Sequence, residues 1–123
     1  MFNVKQIFDL GLKMGVAADP RGKKSVDEYL ARYKKEFEKL SDREKKNFDR
    51  EKFTNPYLDS GIHMDDGKTK VKRVLVGIDI SEAELLLASQ MNERGQAINL
   101  VISHHPAGKG RAMLADVMEM SVE

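Results

Sequence analysis

Hydrophobic positions in this chain follow two regimes. In residues 1–53 they recur at three- and four-residue steps, the period of an amphipathic helix. Val4, Ile7 and Phe8 share a face behind Asn3 and Gln6, which have capping-box spacing, and predict a helix over 3–16. The turn residues Ala18-Asp19-Pro20-Arg21-Gly22 end it. Ser25 and Glu28 form a second box, followed by Val26, Tyr29, Leu30, Tyr33, Phe37 and Leu40 at helical steps. Ser41 and Glu44 form a third, opening a polar helix to about Lys52, with Asp42 and Lys46 as i,i+4 partners, before Asn55-Pro56 stops it. Residues 54–71 read as loop.

Beyond residue 70 the pattern changes. Val74-Leu75-Val76-Gly77-Ile78 is a continuous β-branched run ending at Asp79, as expected of a strand buried on both faces. Ser81 and Glu84 cap a helix running through Leu85, Leu86, Ala88 and Met91 to Gly95. Asn99-Leu100-Val101-Ile102 is a second buried-strand run, ending at Ser103-His104-His105-Pro106. Past Gly108 and Gly110, the positions Met113, Leu114, Val117, Met118 and Met120 start another helix. Residues 73–103 therefore predict a strand–helix–strand unit. Its connection of about twenty residues suits a right-handed crossover between parallel strands. The expected fold is α/β: a helical region over 1–53, then an α/β region over 54–123 carrying part of a parallel or mixed sheet. Two parallel strands make a poor independent domain. The sequence thus reads as the N-terminal part of a larger unit, or as a chain that completes its sheet through a partner. The alternative is a third strand near Ile62-His63-Met64.

Composition narrows the chemistry. The chain has 123 residues with 21 Lys+Arg against 20 Asp+Glu, a net charge of +1, so bulk charge does not drive binding to a polyanion. Nine basic and six acidic residues are interspersed from Arg32 to Lys52. Their signs cancel beyond a Debye length, so the stretch reads as a solvated helical face and no nucleic-acid partner is expected. Lys68, Lys70, Lys72 and Arg73 read in the same way, as a solvated strand entry. The absence of cysteine excludes thiolate metal sites, disulfides and a Cys nucleophile. No apolar run approaches the ~18 residues of a membrane span, and the start lacks signal-peptide character, so no membrane partner and a cytoplasmic location are expected.

The strongest chemical signal is His104-His105 at the end of the second strand. Ligands of open α/β sheets sit outside the carboxyl ends of strands. A turning strand end lets both rings reach one cavity, and neutral imidazoles suit zinc, iron, manganese or nickel-class ions. Two such ions about 3.5–4 Å apart could each take one His. Asp79 ends the neighbouring strand on the same edge. It is expected to orient a His N–H or cap a helix rather than to ligate directly. Gly108-Lys109-Gly110 could cradle an anion through backbone N–H groups, although the spacing is not that of a P-loop. Asp116 and Glu119 are carboxylates of undetermined facing. His63, Asp65 and Asp66 read as a polar turn, because Asp-Gly is a turn signature.

Val71 to Asp79, the helix after it, and Leu100-Val101-Ile102-Ser103-His104-His105-Pro106 resemble the Ngg-interacting-factor-three-like family. These are dinuclear-metal proteins often described as GTP cyclohydrolase I type 2 homologues. The resemblance extends upstream through Ala18-Asp19-Pro20-Arg21-Gly22 and Thr54-Asn55-Pro56-Tyr57-Leu58-Asp59. It implies an α/β fold, two divalent metal ions, assembly into homo-oligomeric rings and hydrolysis of a nucleotide or other phosphorylated substrate. His104 and His105 match the family's ligand pair, and Asp79 matches a position not counted as a ligand. The family's remaining ligands, a later Asp and a His/Glu pair, lie beyond the matched residues, so the resemblance implies the N-terminal portion of such a protein. A rival reading is a non-enzymatic adaptor with a structural metal centre. An Asp-His-His phosphoesterase is disfavoured, because Ser103 stands where the Asp would be.

Overall fold

The computed structural model describes residues 1–119. Met120, assigned above to the last helix, and Ser121 to Glu123 lie outside the described residues, as do the side chains of Asp116 and Glu119. The architecture is mixed: helices, then a two-stranded parallel sheet. No helix among the described residues is long and apolar enough to cross a membrane.

Helix α1 spans Val4–Ala18, and the Asn3–Gln6 capping box forms in both directions. Helix α2 spans Gly22–Lys39 and so begins three residues before the Ser25–Glu28 pair, which is not its cap. The start is set by Asp19. Its carboxylate accepts from the Arg21 backbone N–H at 3.0 Å, and its carbonyl from Gly22 N–H at 3.0 Å. This Asx-type turn feeds directly into the helix.

The single helix expected over 41–52 divides into α3 (Asp42–Asn47), capped by Ser41 and Glu44, and a 3₁₀ turn at Arg50–Phe53. Between them Phe48 is extended, with φ −70° and ψ 131°. Packing explains the break. Phe48 and Phe53 both reach Phe37, at ring separations of 5.1 and 5.3 Å, and stack on each other at 5.3 Å. Five residues apart on a continuous helix, they would point about 140° away from each other.

Strand β1 (Val74–Gly77) pairs in parallel with β2 (Leu100–Ser103), Val74 opposite Leu100 and Gly77 opposite Ser103. Helix α4 (Glu82–Glu93) makes the crossover, capped by Ser81 with Glu84 and followed by Gly95 at φ +82°. Beyond it, Asn92 clamps the chain: its amide donates to the Ile98 carbonyl at 2.7 Å and accepts from the Ile98 N–H at 2.6 Å. The short helices α5 (Gly108–Ala112) and α6 (Leu114–Glu119) follow β2.

Two expectations are corrected. No strand forms at 62–64; instead Asn3 and Lys70 make an isolated antiparallel bridge, with Val71 N–H on the Phe2 carbonyl at 2.8 Å. Nor is the sheet buried on both faces. Val76 is 65% and Ile78 63% exposed, whereas Leu75 and Gly77 are half-covered. The buried core centres on Val26, Tyr29, Leu58, Asn55 and Pro56 where the helices meet the 54–60 loop. In the α/β unit only Ala88 and Ile98 are buried among the described residues.

Candidate metal centre

The ladder register determines what meets at the carboxyl edge. Carried two residues past Gly77 and Ser103, it places Asp79 opposite His105. The backbone supports this: His104 N–H donates to the Gly77 carbonyl at 2.9 Å, and His105 N–H to the Ile78 carbonyl at 2.8 Å. His105 Nδ1 lies 2.9 Å from Asp79 Oδ1. A carboxylate at that nitrogen favours the tautomer with the proton on Nδ1, which leaves Nε2 with a lone pair directed away from Asp79. Strict alternation would send His104 to the opposite face. The chain bends at 104–105 instead, and the two ring centroids come within 5.3 Å at an interplanar angle of 35°. The bend is braced by Ser103, whose hydroxyl donates to the His105 carbonyl at 2.8 Å. That bond makes Ser103 a structural hydroxyl.

Asp79 is not the helix cap. Ser81 fills that position: its hydroxyl accepts from Ala83 N–H at 3.3 Å, and its own N–H donates to Glu84 at 2.8 Å. Asp79 is thus available to His105, and the site is open, with His105 56% and Asp79 80% exposed. The donor types suit a borderline divalent ion. Their number does not complete one site: among the described residues, no group of three or more His, Cys, Asp or Glu side chains is placed to hold a metal ion. His63, Asp65 and Asp66 do not form a second cluster of that kind. Asp66 instead caps its own turn, accepting from the N–H groups of Lys68 at 2.9 Å and Thr69 at 2.7 Å. These bonds hold its carboxyl below the ordinary range.

The Gly108-Lys109-Gly110 segment serves packing. Lys109 Nζ reaches Asp49 at 2.6 Å and Glu51 at 3.6 Å. The bond raises the ammonium pKa and lowers that of Asp49. The cation that an anion cradle would use is thereby committed to two carboxylates. Gly110 lies against the Asp59 carbonyl, where any Cβ would collide with backbone, and Gly108 sits at φ +50° beside the His63 ring. The segment that leaves the His pair is thus docked on the 49–63 region, around a cavity of about 30 Å³.

One polar constellation escaped the sequence reading. Asp19, with a side chain only 4% exposed, accepts from Arg21 Nε at 2.9 Å and a terminal guanidinium nitrogen at 2.7 Å. The Tyr57 hydroxyl donates to it at 2.9 Å. The guanidinium holds the Asp19 carboxyl far below the usual carboxylate range, while burial, helped by the Asp19 bond, pushes Tyr57 up to about 12. Beside it, the buried Asn55 donates to Ser60 O at 2.8 Å and accepts from Tyr57 N–H at 2.8 Å. The only signal in the sequence is the pair of turn motifs at 18–22 and 54–59, and nothing in their spacing says that they meet.

No family model, curated protein or solved structure matches this chain.

Proposed function

We propose that this chain carries part of a dinuclear metal centre of hydrolase type, in which His104 and His105 are ligands and Asp79 orients His105. The family resemblance of the strand–Asp–helix–strand–His-His-Pro pattern motivates the assignment. The observation that carries it is the Asp79–His105 hydrogen bond beside the His104 ring, on the edge where α/β sheets bind ligands. A bound divalent ion supplies a water nucleophile at neutral pH and polarises a phosphoryl or carbonyl oxygen. The proposed substrate class is a nucleotide or other phosphorylated small molecule, and the working form is a homo-oligomer. Further ligands have to join these three side chains from outside the described residues, so no reaction step is assigned to the residues present.

The test is equilibrium dialysis against Zn²⁺, Mn²⁺, Fe²⁺ or Ni²⁺, with retained ion measured by mass spectrometry. Wild type is expected to retain ion and His104→Ala/His105→Ala to lose it; equal retention by both overturns the assignment. Retention without turnover on any nucleotide or phosphoester would make the centre structural and the protein an adaptor.

A further inference from the structure

Strand alternation places Val74, Val76 and Ile78 on one face of the sheet, and the register adds Leu100 and Ile102 to it. Of these, Val74, Val76, Ile78 and Ile102 are exposed large hydrophobics. The face carries no charged side chain between Lys72 at its entry and His104 at its exit. A face of parallel strands left to solvent is foreign to such sheets, which are covered on both sides.

The size of the uncovered surface says what a cover must supply. The accessible surface is 9205 Å². A folded monomer of 13.9 kDa exposes about 6,700 Å² on the usual size scaling, leaving a surplus of roughly 2,500 Å². Obligate homodimers bury about 2,000–5,000 Å² in total, so one protomer contributes roughly 1,000–2,500 Å². The surplus lies at the upper end of that range. The chemistry of the face favours a copy of itself. An isologous contact requires one patch to match itself, and a flat aliphatic β-branched face without charge does so. It offers neither an ion pair nor a hydrogen bond by which a different partner would be selected.

We propose that two copies of this chain stack their β1–β2 sheets face to face about a two-fold axis, burying Val76, Ile78 and Ile102 at the centre. The arrangement gives a face to the homo-oligomer named under the proposed function and rests on that part of the reading only; loss of metal retention would leave it standing.

The chain has no cysteine, so a single introduced thiol reports its own surroundings. Wild type is examined by sedimentation equilibrium from micromolar to hundreds of micromolar. Val76→Cys is then oxidised alongside Lys13→Cys, whose site is on an exposed part of α1. The expected result is a dimer that dissociates on dilution, with Val76→Cys converted to a reducible covalent dimer at least tenfold faster than Lys13→Cys. A monomer throughout the range overturns both the oligomer and the face. A dimer in which the two thiols cross-link at equal rates overturns the face alone. Species larger than a dimer overturn the two-fold, which closes at two.

Discussion

The Asp19 junction ties the α1–α2 turn to the 54–60 loop through one carboxylate, and Asp19→Ala removes it. Four hydrogen bonds are lost: two from the guanidinium, one from Tyr57 and one from the Arg21 backbone. Breaking a fully buried ion pair costs about 3–5 kcal/mol. Here the Arg21 side chain remains 25% exposed and regains water, so the expected loss is about 2–3 kcal/mol. Tyr57→Phe removes one hydrogen bond, worth about 1 kcal/mol. Because the two residues share an acceptor, the double variant should fall short of additivity by about 1 kcal/mol. Urea unfolding followed by far-ultraviolet circular dichroism at neutral pH measures all three, with an unchanged slope confirming that stability alone has moved. The pH dependence is a second readout. Asp19 is lowered on folding, so its contribution is complete above its ordinary pKa of 3.8 and is lost as pH falls below that value. Tyr57 is raised, so its contribution is complete below 10 and is lost as pH rises toward 12. Tyr57→Phe should therefore flatten the alkaline loss and leave most of the acid loss. An Asp19→Ala cost below 0.5 kcal/mol, on the order of a neutral surface change, or strict additivity with Tyr57→Phe, would refute the shared-acceptor reasoning.

Three further outcomes are expected. Gly110→Ala places a methyl against the Asp59 carbonyl and should cost about 2–3 kcal/mol in a thermal melt, because the obstacle is backbone and must itself move. Ala97 holds φ +53° in the α4–β2 connection, so Ala97→Gly should stabilise the protein by about 1 kcal/mol despite adding chain entropy; a loss would show that the strain is already relieved by the Asn92 clamp. Asp79→Asn should weaken divalent-ion retention about 10–100-fold without displacing the metal-free His105 ring; unchanged affinity would dissociate Asp79 from the site.

Local signals were legible where the chemistry is local. The capping boxes at Asn3, Ser41 and Ser81 all form, because each pairs groups three residues apart. The box at Ser25 does not, because a stronger turn at Asp19 had already started the helix. The candidate site was partly legible. The parallel pairing of the two runs follows from their connection, and Asp79 and His105 could be assigned to one edge. Their direct hydrogen bond depends on a register that neither run encodes alone. Lys109 read as a cation for a ligand because nothing near it in sequence showed Asp49, sixty residues upstream, as its partner.

The chain by itself determined its element types, its parallel strand pair and its pair of neighbouring imidazoles, since all of these follow from side-chain period, capping chemistry and residue identity. Only the tertiary structure decided that Phe37, Phe48 and Phe53 break a helix to meet, and that Asp19 and Tyr57 share a proton donor and acceptor across 38 residues. It also decided that one face of the sheet stays in water. Contacts between distant segments depend on how whole elements pack, and periodicity reports only which side of an element is apolar, never what arrives to cover it.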